Sequence, residues 1–330
     1  MNSKLKFMDG EKLRSNWDAP TYRVMLFKPI GLYPKGCFFT PNSFFSADDD
    51  LVFSVTHGGS WKALDENIAY SEFDWASPEE LRILGAILLC EKIGDALIRF
   101  YPVMRYSPRI DSEYLDLSNR NTVSAVKELL IETSINPRER SGDSVLSECV
   151  GGNYQLVSSD RYNLGRLHTF WSKLSVDNYV LMRGISSLIK AEMLACYREF
   201  WEEAIIVSYI ALEASFHLVC RELKSKGIIE PTANDAAHWL YENFDKPFGL
   251  PKPTIEKYFQ EFYEDRIKTL HPSSRFGEAP FSPIMHDNFC HLRRSLREIF
   301  SYLTAGEHGE DYHKEVKKHA RHSAPINNNA

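Results

Sequence analysis

The chain has 330 residues, 43% of them hydrophobic and 25% charged, and a formal net charge of −6. This is ordinary globular composition, enough for one large domain or two smaller ones. It excludes a protein that attracts nucleic acid through overall charge, so any such site must be a local basic patch. The six cysteines (Cys37, Cys90, Cys149, Cys196, Cys220 and Cys290) are scattered, with no CxxC pair. That pattern argues against a zinc ribbon or a disulfide scaffold and for buried thiols in a reducing compartment. Residues 1–18 are polar and lack the apolar run of a signal peptide. The longest apolar candidate, residues 83–100, is broken by Glu91, Lys92, Asp95 and Arg99 and reads as a soluble helix. The expectation is a cytoplasmic protein with no membrane partner.

Taken in order, residues 20–57 favour strands. Tyr22-Arg23-Val24-Met25-Leu26-Phe27, Gly36-Cys37-Phe38-Phe39 and Leu51-Val52-Phe53-Ser54-Val55 are β-rich runs separated by Pro, Gly and Asp turns. They predict a small sheet of three strands or more, with Phe38, Phe39, Phe44 and Phe45 as core in preference to an exposed recognition surface. Ser77-Pro78-Glu79-Glu80 is a helix start, with Ser at the N-cap, Pro in the first turn and Glu at N3. The spacing predicts a helix from 78 to about 100 and a second within 118–134, stopped at Asn136-Pro137. The polar stretch 137–152 reads as a linker.

Beyond it the pattern becomes helical: 161–174, 176–196, 199–226 with Gly227 as C-cap, 232–244, a helix opening at Thr254, and 284–304. Residues 306–330 are polar and end Asn-Asn-Asn-Ala, which predicts a disordered tail. Its four histidines (His308, His313, His319 and His322) read as solvated rather than metal-binding. The chain is therefore α+β: a β/α N-terminal domain over 1–155, a helical bundle over 156–305 and a tail over 306–330.

One stretch carries chemistry. Residues 261–272 read as the last turns of an amphipathic helix with Arg266 and His271 five residues apart. On a continuous helix that separation is about 140° of rotation. Pro272 disfavours helical geometry at His271, so the helix should end there and the imidazole can swing towards the guanidinium. A fixed cation and a group that titrates near neutral pH would then share a site. The alternative for the pair is structural, with Arg266 tied to helix carbonyls and His271 at the surface.

Residues 176–303 resemble a HEPN domain, an antiparallel bundle of four or five helices. The resemblance rests on Ile210-Ala211-Leu212-Glu213-Ala214 in the long central helix, on Arg266-x4-His271, and on the closing amphipathic helix after a loop. The family often has Asn, Asp or His after the arginine, where this chain has Ile267. No family resemblance extends to the N-terminal half. The resemblance implies metal-independent RNA cleavage, without a cofactor, at a composite site across a homodimer, in a toxin or antiviral defence protein.

The residue chemistry is compatible with that. RNA carries its own nucleophile in the 2′-hydroxyl. His271 suits proton transfer and Arg266 suits the developing phosphorane charge. Lys268 and Arg275 are candidates for backbone phosphates, and Tyr263 for base stacking or bundle core. Glu213 either supports Arg266 or is a buried structural carboxylate. Arg293, Arg294 and Arg297 add positive charge to the last helix or form a solvated face. The competing expectation is a non-catalytic dimerisation or nucleic-acid-binding module. If the chain is a nuclease, the N-terminal half would sense a trigger, bind a regulatory protein partner or restrain the nuclease.

Overall fold

The computed structural model describes residues 20–31, 33–40, 43–48, 51–60, 76–92, 98–102, 109–112, 115–134, 162–195, 197–250, 257–271 and 286–323. The chain divides into two units: Met1–Ile87 with Ala96–Leu164, and Leu88–Asp95 with Gly165–Ala330. The expected linker at 137–152 lies outside the described residues. The α+β class holds, with a sheet near the N-terminus followed by helices.

The first unit is built on an antiparallel sheet of β1 (Pro20–Gly31), β2 (Gly36–Thr40), β3 (Ser43–Ala47), β4 (Val52–Ser60), β5 (Ile98–Pro102) and β6 (Arg109–Asp111). The strand order is β2-β3-β4-β1-β5, with β6 also paired to β1. The twelve-residue β1 is long enough to take β4 along one edge and both β5 and β6 along the other. Successive side chains of a strand point to opposite faces. Val24 and Leu26 of β1, with Phe53 and Val55 of β4, therefore join Val123, Val126 and Leu130 of α2 (Arg120–Ser134) in one core. Arg23 and Ser54 lie on the other face and meet Glu80 of α1 (Pro78–Leu89). Glu80 accepts from Arg23 Nε at 3.2 Å and from Ser54 Oγ at 3.0 Å.

The predicted start of α1 forms a capping box. Ser77 N–H donates to Glu80 Oε2 at 2.7 Å, and Glu80 N–H to Ser77 Oγ at 3.2 Å. Its predicted end is corrected. The helix stops at Leu89, and Ile98-Arg99-Phe100-Tyr101 is strand, not helix. These β-branched and aromatic residues satisfy the second edge of β1, a tertiary demand that periodicity does not register. Phe44 and Phe45 are core as expected, whereas Phe39 is exposed beneath the Arg120 guanidinium.

The second unit is helical: α3 (Leu167–Lys173), α4 (Tyr179–Leu194), α5 (Trp201–Ser225), α6 (Ala233–Leu240), α7 (Lys257–Leu270), α8 (His286–Ala305) and α9 (Glu310–Ser323). The central α5 is flanked by α4, α7 and α8. Arg221 reaches Asn178 at 3.3 Å, which sets α4 antiparallel to α5. The core holds Ile185, Leu188, Ile205, Leu212, Val219, Leu292, Leu296 and Phe300, all nearly inaccessible. Ser208 and Ser215 sit on the buried face of α5 because each hydroxyl donates to a carbonyl three residues back, at 2.7 Å. By length and composition α5 could cross a membrane, yet it packs as the core helix of this bundle.

The expectation of a disordered tail is corrected over Glu310–Ser323, which is helix α9. A π-helical turn, Tyr241–Asp245, interrupts regular hydrogen bonding after α6. Its Asn243 and Phe244 carbonyls accept from the Tyr312 hydroxyl at 3.0 Å each. His308 stacks on the Tyr312 ring at 3.7 Å, with Nε2 at 2.8 Å from the Asn243 carbonyl. The Asn243 carbonyl has no N–H to meet four residues on, because Pro247 carries none, and it helps to hold α9 in place. The sequence carries no signal for a π turn.

Candidate functional site

Helix α7 ends at Leu270, and the His271 N–H closes its last turn on the Ile267 carbonyl at 2.9 Å. His271 is exposed one residue past the helix, where Pro272 was expected to leave it. Arg266 lies one turn before the end, half-buried. Its Nη2 pairs with Glu213 Oε2 of α5 at 3.2 Å.

The two helices run antiparallel here. One turn further along each, Tyr209 of α5 lies against Thr269 of α7, within electrostatic reach of Asp265. Burial pushes the Tyr209 phenol above its ordinary range; Thr269 opposes that shift, and Asp265 adds to it. Its buried hydroxyl makes no well-formed hydrogen bond among the described residues. The Thr269 hydroxyl donates along its own helix to the Asp265 carbonyl at 2.7 Å. The Arg266–Glu213 pair therefore sits at the solvent margin of the α5/α7 seam, with the buried Tyr209 and Thr269 below it.

The structure brings Arg266 and Glu213 together. Glu213 is not the buried carboxylate that a mostly apolar helix suggested, since half of its side chain is exposed. Tyr263 and Lys268 both lie on α7. Tyr263 precedes Arg266 by one turn on the same flank, whereas Lys268, two residues on, is about 200° away in register. Arg275 lies outside the described residues. Ile267 is half-buried, so the position after the arginine is occupied by a packing residue.

Two of the three arginines of α8 are reassigned, and Arg294 is half-buried. Arg293 and Arg297 are buried rather than solvated. Arg293 forks onto Glu91 at 2.9 and 2.5 Å and donates through Nε to Glu192 at 2.5 Å. Arg297 donates to the Glu91 carbonyl and pairs with Glu298. They are spent on a buried network and offer no charge to a polyanion. Glu91 is far away in sequence, so no spacing pattern announces this cluster.

Among the described residues no group of three His, Cys, Asp or Glu is placed to hold a metal ion. Of the described cysteines only Cys90 is fully buried, and burial pushes its thiol up to about 12 against the opposing effect of Arg166. Cys37 is exposed, while Cys220 and Cys290 are half-buried, so the expectation of buried thiols is met at one position. Comparison with protein-family models, with curated proteins and with solved structures gives no match.

Proposed function

We propose that the chain is an endoribonuclease of the HEPN type, acting in the cytoplasm without a metal as a toxin or in antiviral defence. His271 moves protons and Arg266 meets the charge on the phosphorane. The 2′-hydroxyl attacks the adjacent phosphate, leaving a 2′,3′-cyclic phosphate and a 5′-hydroxyl. One imidazole cannot readily serve as base and acid at once, so two copies of the motif face each other in a homodimer. The first unit, with its own sheet and core, then binds a regulatory protein partner or senses a trigger.

The observation that carries this reading is the bridge from Arg266 to Glu213. It fixes a guanidinium at the solvent margin of α7, five residues before an exposed His271 at the helix end. Preorganisation of this kind is what electrostatic stabilisation of a transition state requires.

A second reading, a non-catalytic dimerisation or nucleic-acid-binding module, draws on two facts. Arg266 already has a carboxylate partner, and Tyr179 and Ile229 stand exposed at 76% and 88%. The test incubates the purified protein and His271→Ala with single-stranded RNA in EDTA and analyses the new ends. Cyclic-phosphate termini from the wild type and at least about a hundredfold slower cleavage by the variant are expected. Intact RNA with the wild type, or equal cleavage by both, favours the second reading.

A further inference from the structure

Helix α9 lies beyond the stretch that resembles a HEPN domain; one flank is docked, and the opposite one carries cations with Glu310 among them. At 100° per residue, Tyr312, Val316 and His319 share one flank. Tyr312 is buried against the π turn, Val316 is half-buried, and the His319 ring meets Phe248 at 5.8 Å. Lys314, Lys317, Lys318 and Arg321 follow the spacing i, i+3, i+4, i+7. These positions fall within about 100° of arc, centred opposite the docked flank.

Lys314 and Lys318 form long ion pairs at the surface. Lys314 lies 3.8 Å from Glu310 and 3.7 Å from Asp311, and Lys318 lies 3.7 Å from Glu315. Both lysine side chains are about two-thirds exposed (69% and 65%). Such pairs contribute little and exchange readily for a better anion. Compensation of the helix dipole would place cations in the last turn alone, yet Lys314 belongs to the N-terminal half of the helix.

We infer that the outer face of α9 binds the phosphate backbone of a single-stranded nucleic acid. The four positions span about 10 Å of helix axis, enough to engage more than one phosphate. A membrane surface fits less well. An interfacial helix needs an apolar face to insert, and the apolar face of α9 is already docked on its own bundle. The overall charge of −6 makes the attraction local, so it must depend steeply on salt. The inference shares a ligand class with the nuclease reading but none of its residues, so either can fail alone.

The test uses the full chain and a fluorescein-labelled oligodeoxyuridine, which lacks the 2′-hydroxyl and so reports binding independently of cleavage. Anisotropy should show wild-type binding that weakens as salt rises. K314Q/K317Q/K318Q/R321Q should bind at least about tenfold more weakly, and its salt slope should flatten by about one unit per lost cation. The charge-preserving K314R/K317R/K318R should retain wild-type affinity, which separates loss of charge from loss of fold. Equal binding by the glutamine variant overturns the inference. So does wild-type binding to polyglutamate or to phosphatidylserine vesicles without binding to the oligonucleotide, since that would assign an acidic protein or a membrane instead.

Discussion

Arg293 is the residue with most at stake. It is buried with two carboxylates, Glu91 and Glu192, and these hold its guanidinium well above even the ordinary arginine range against the cost of desolvation. Removing one member of such a group leaves a charge without its counterpart in a place that water does not reach. Glu91→Gln should therefore lower the unfolding free energy by about 3 kcal/mol or more, measured by urea denaturation. A change below about 1 kcal/mol would mean that the site hydrates or rearranges. The contrast with Arg266–Glu213 follows from exposure. That pair has similar chemistry, but half of Glu213 is in water, so its contribution to stability is small and its value lies in positioning. The sequence supplied Arg266, His271 and the helix end between them, because Pro272 acts locally. It could not supply Glu91 as the partner of Arg293, because their encounter is created by packing.

At the scale of elements, α4, α5 and α8 meet where Gly184 has no side chain. A Cβ there would lie 2.6 Å from Phe300 Cζ and 3.0 Å from the Ala214 Cβ. Replacing an interior helix glycine by alanine normally favours the helix by up to about 1 kcal/mol. Here the Phe300 ring is fully buried and cannot swing aside. Gly184→Ala should thus destabilise the protein by about 1–3 kcal/mol in chemical denaturation, and a stabilised variant would show that the helices can separate freely. Most helices of the bundle were legible from apolar spacing and capping residues. The exceptions are instructive. Residues 98–102 are strand because β1 offers a free edge, and residues 310–323 are helix because Tyr312 finds carbonyls on a π turn.

For the whole molecule, pH acts through the docking of α9. Burial holds the His308 imidazole below its ordinary range; the bond to Asn243 opposes this, as does Glu298, while His313 and Arg166 add to it. A depressed folded value means that the folded state binds fewer protons than the unfolded chain. The stabilisation is fully present above the ordinary imidazole range, near 6.5, and is lost as pH falls through the lower folded value. The wild-type thermal midpoint should drop between about pH 7 and about pH 5, and His308→Phe should make that dependence shallower. An unchanged dependence in the variant would assign the effect to other groups.

The sequence by itself determined the α+β class, the helical second half, the capping box at Ser77 and Glu80, and the place where α7 ends. Each depends on residues within a few positions of one another, through side-chain caps, proline geometry and apolar periodicity. It also held the cation spacing of α9 in plain view, but without a docked face that spacing read as a solvated tail. Tertiary structure alone decided that Glu213 holds Arg266, that two arginines of α8 are buried with Glu91 and Glu192, and that α9 has an inner and an outer side. These depend on which groups desolvate together, a property of distant segments brought into contact.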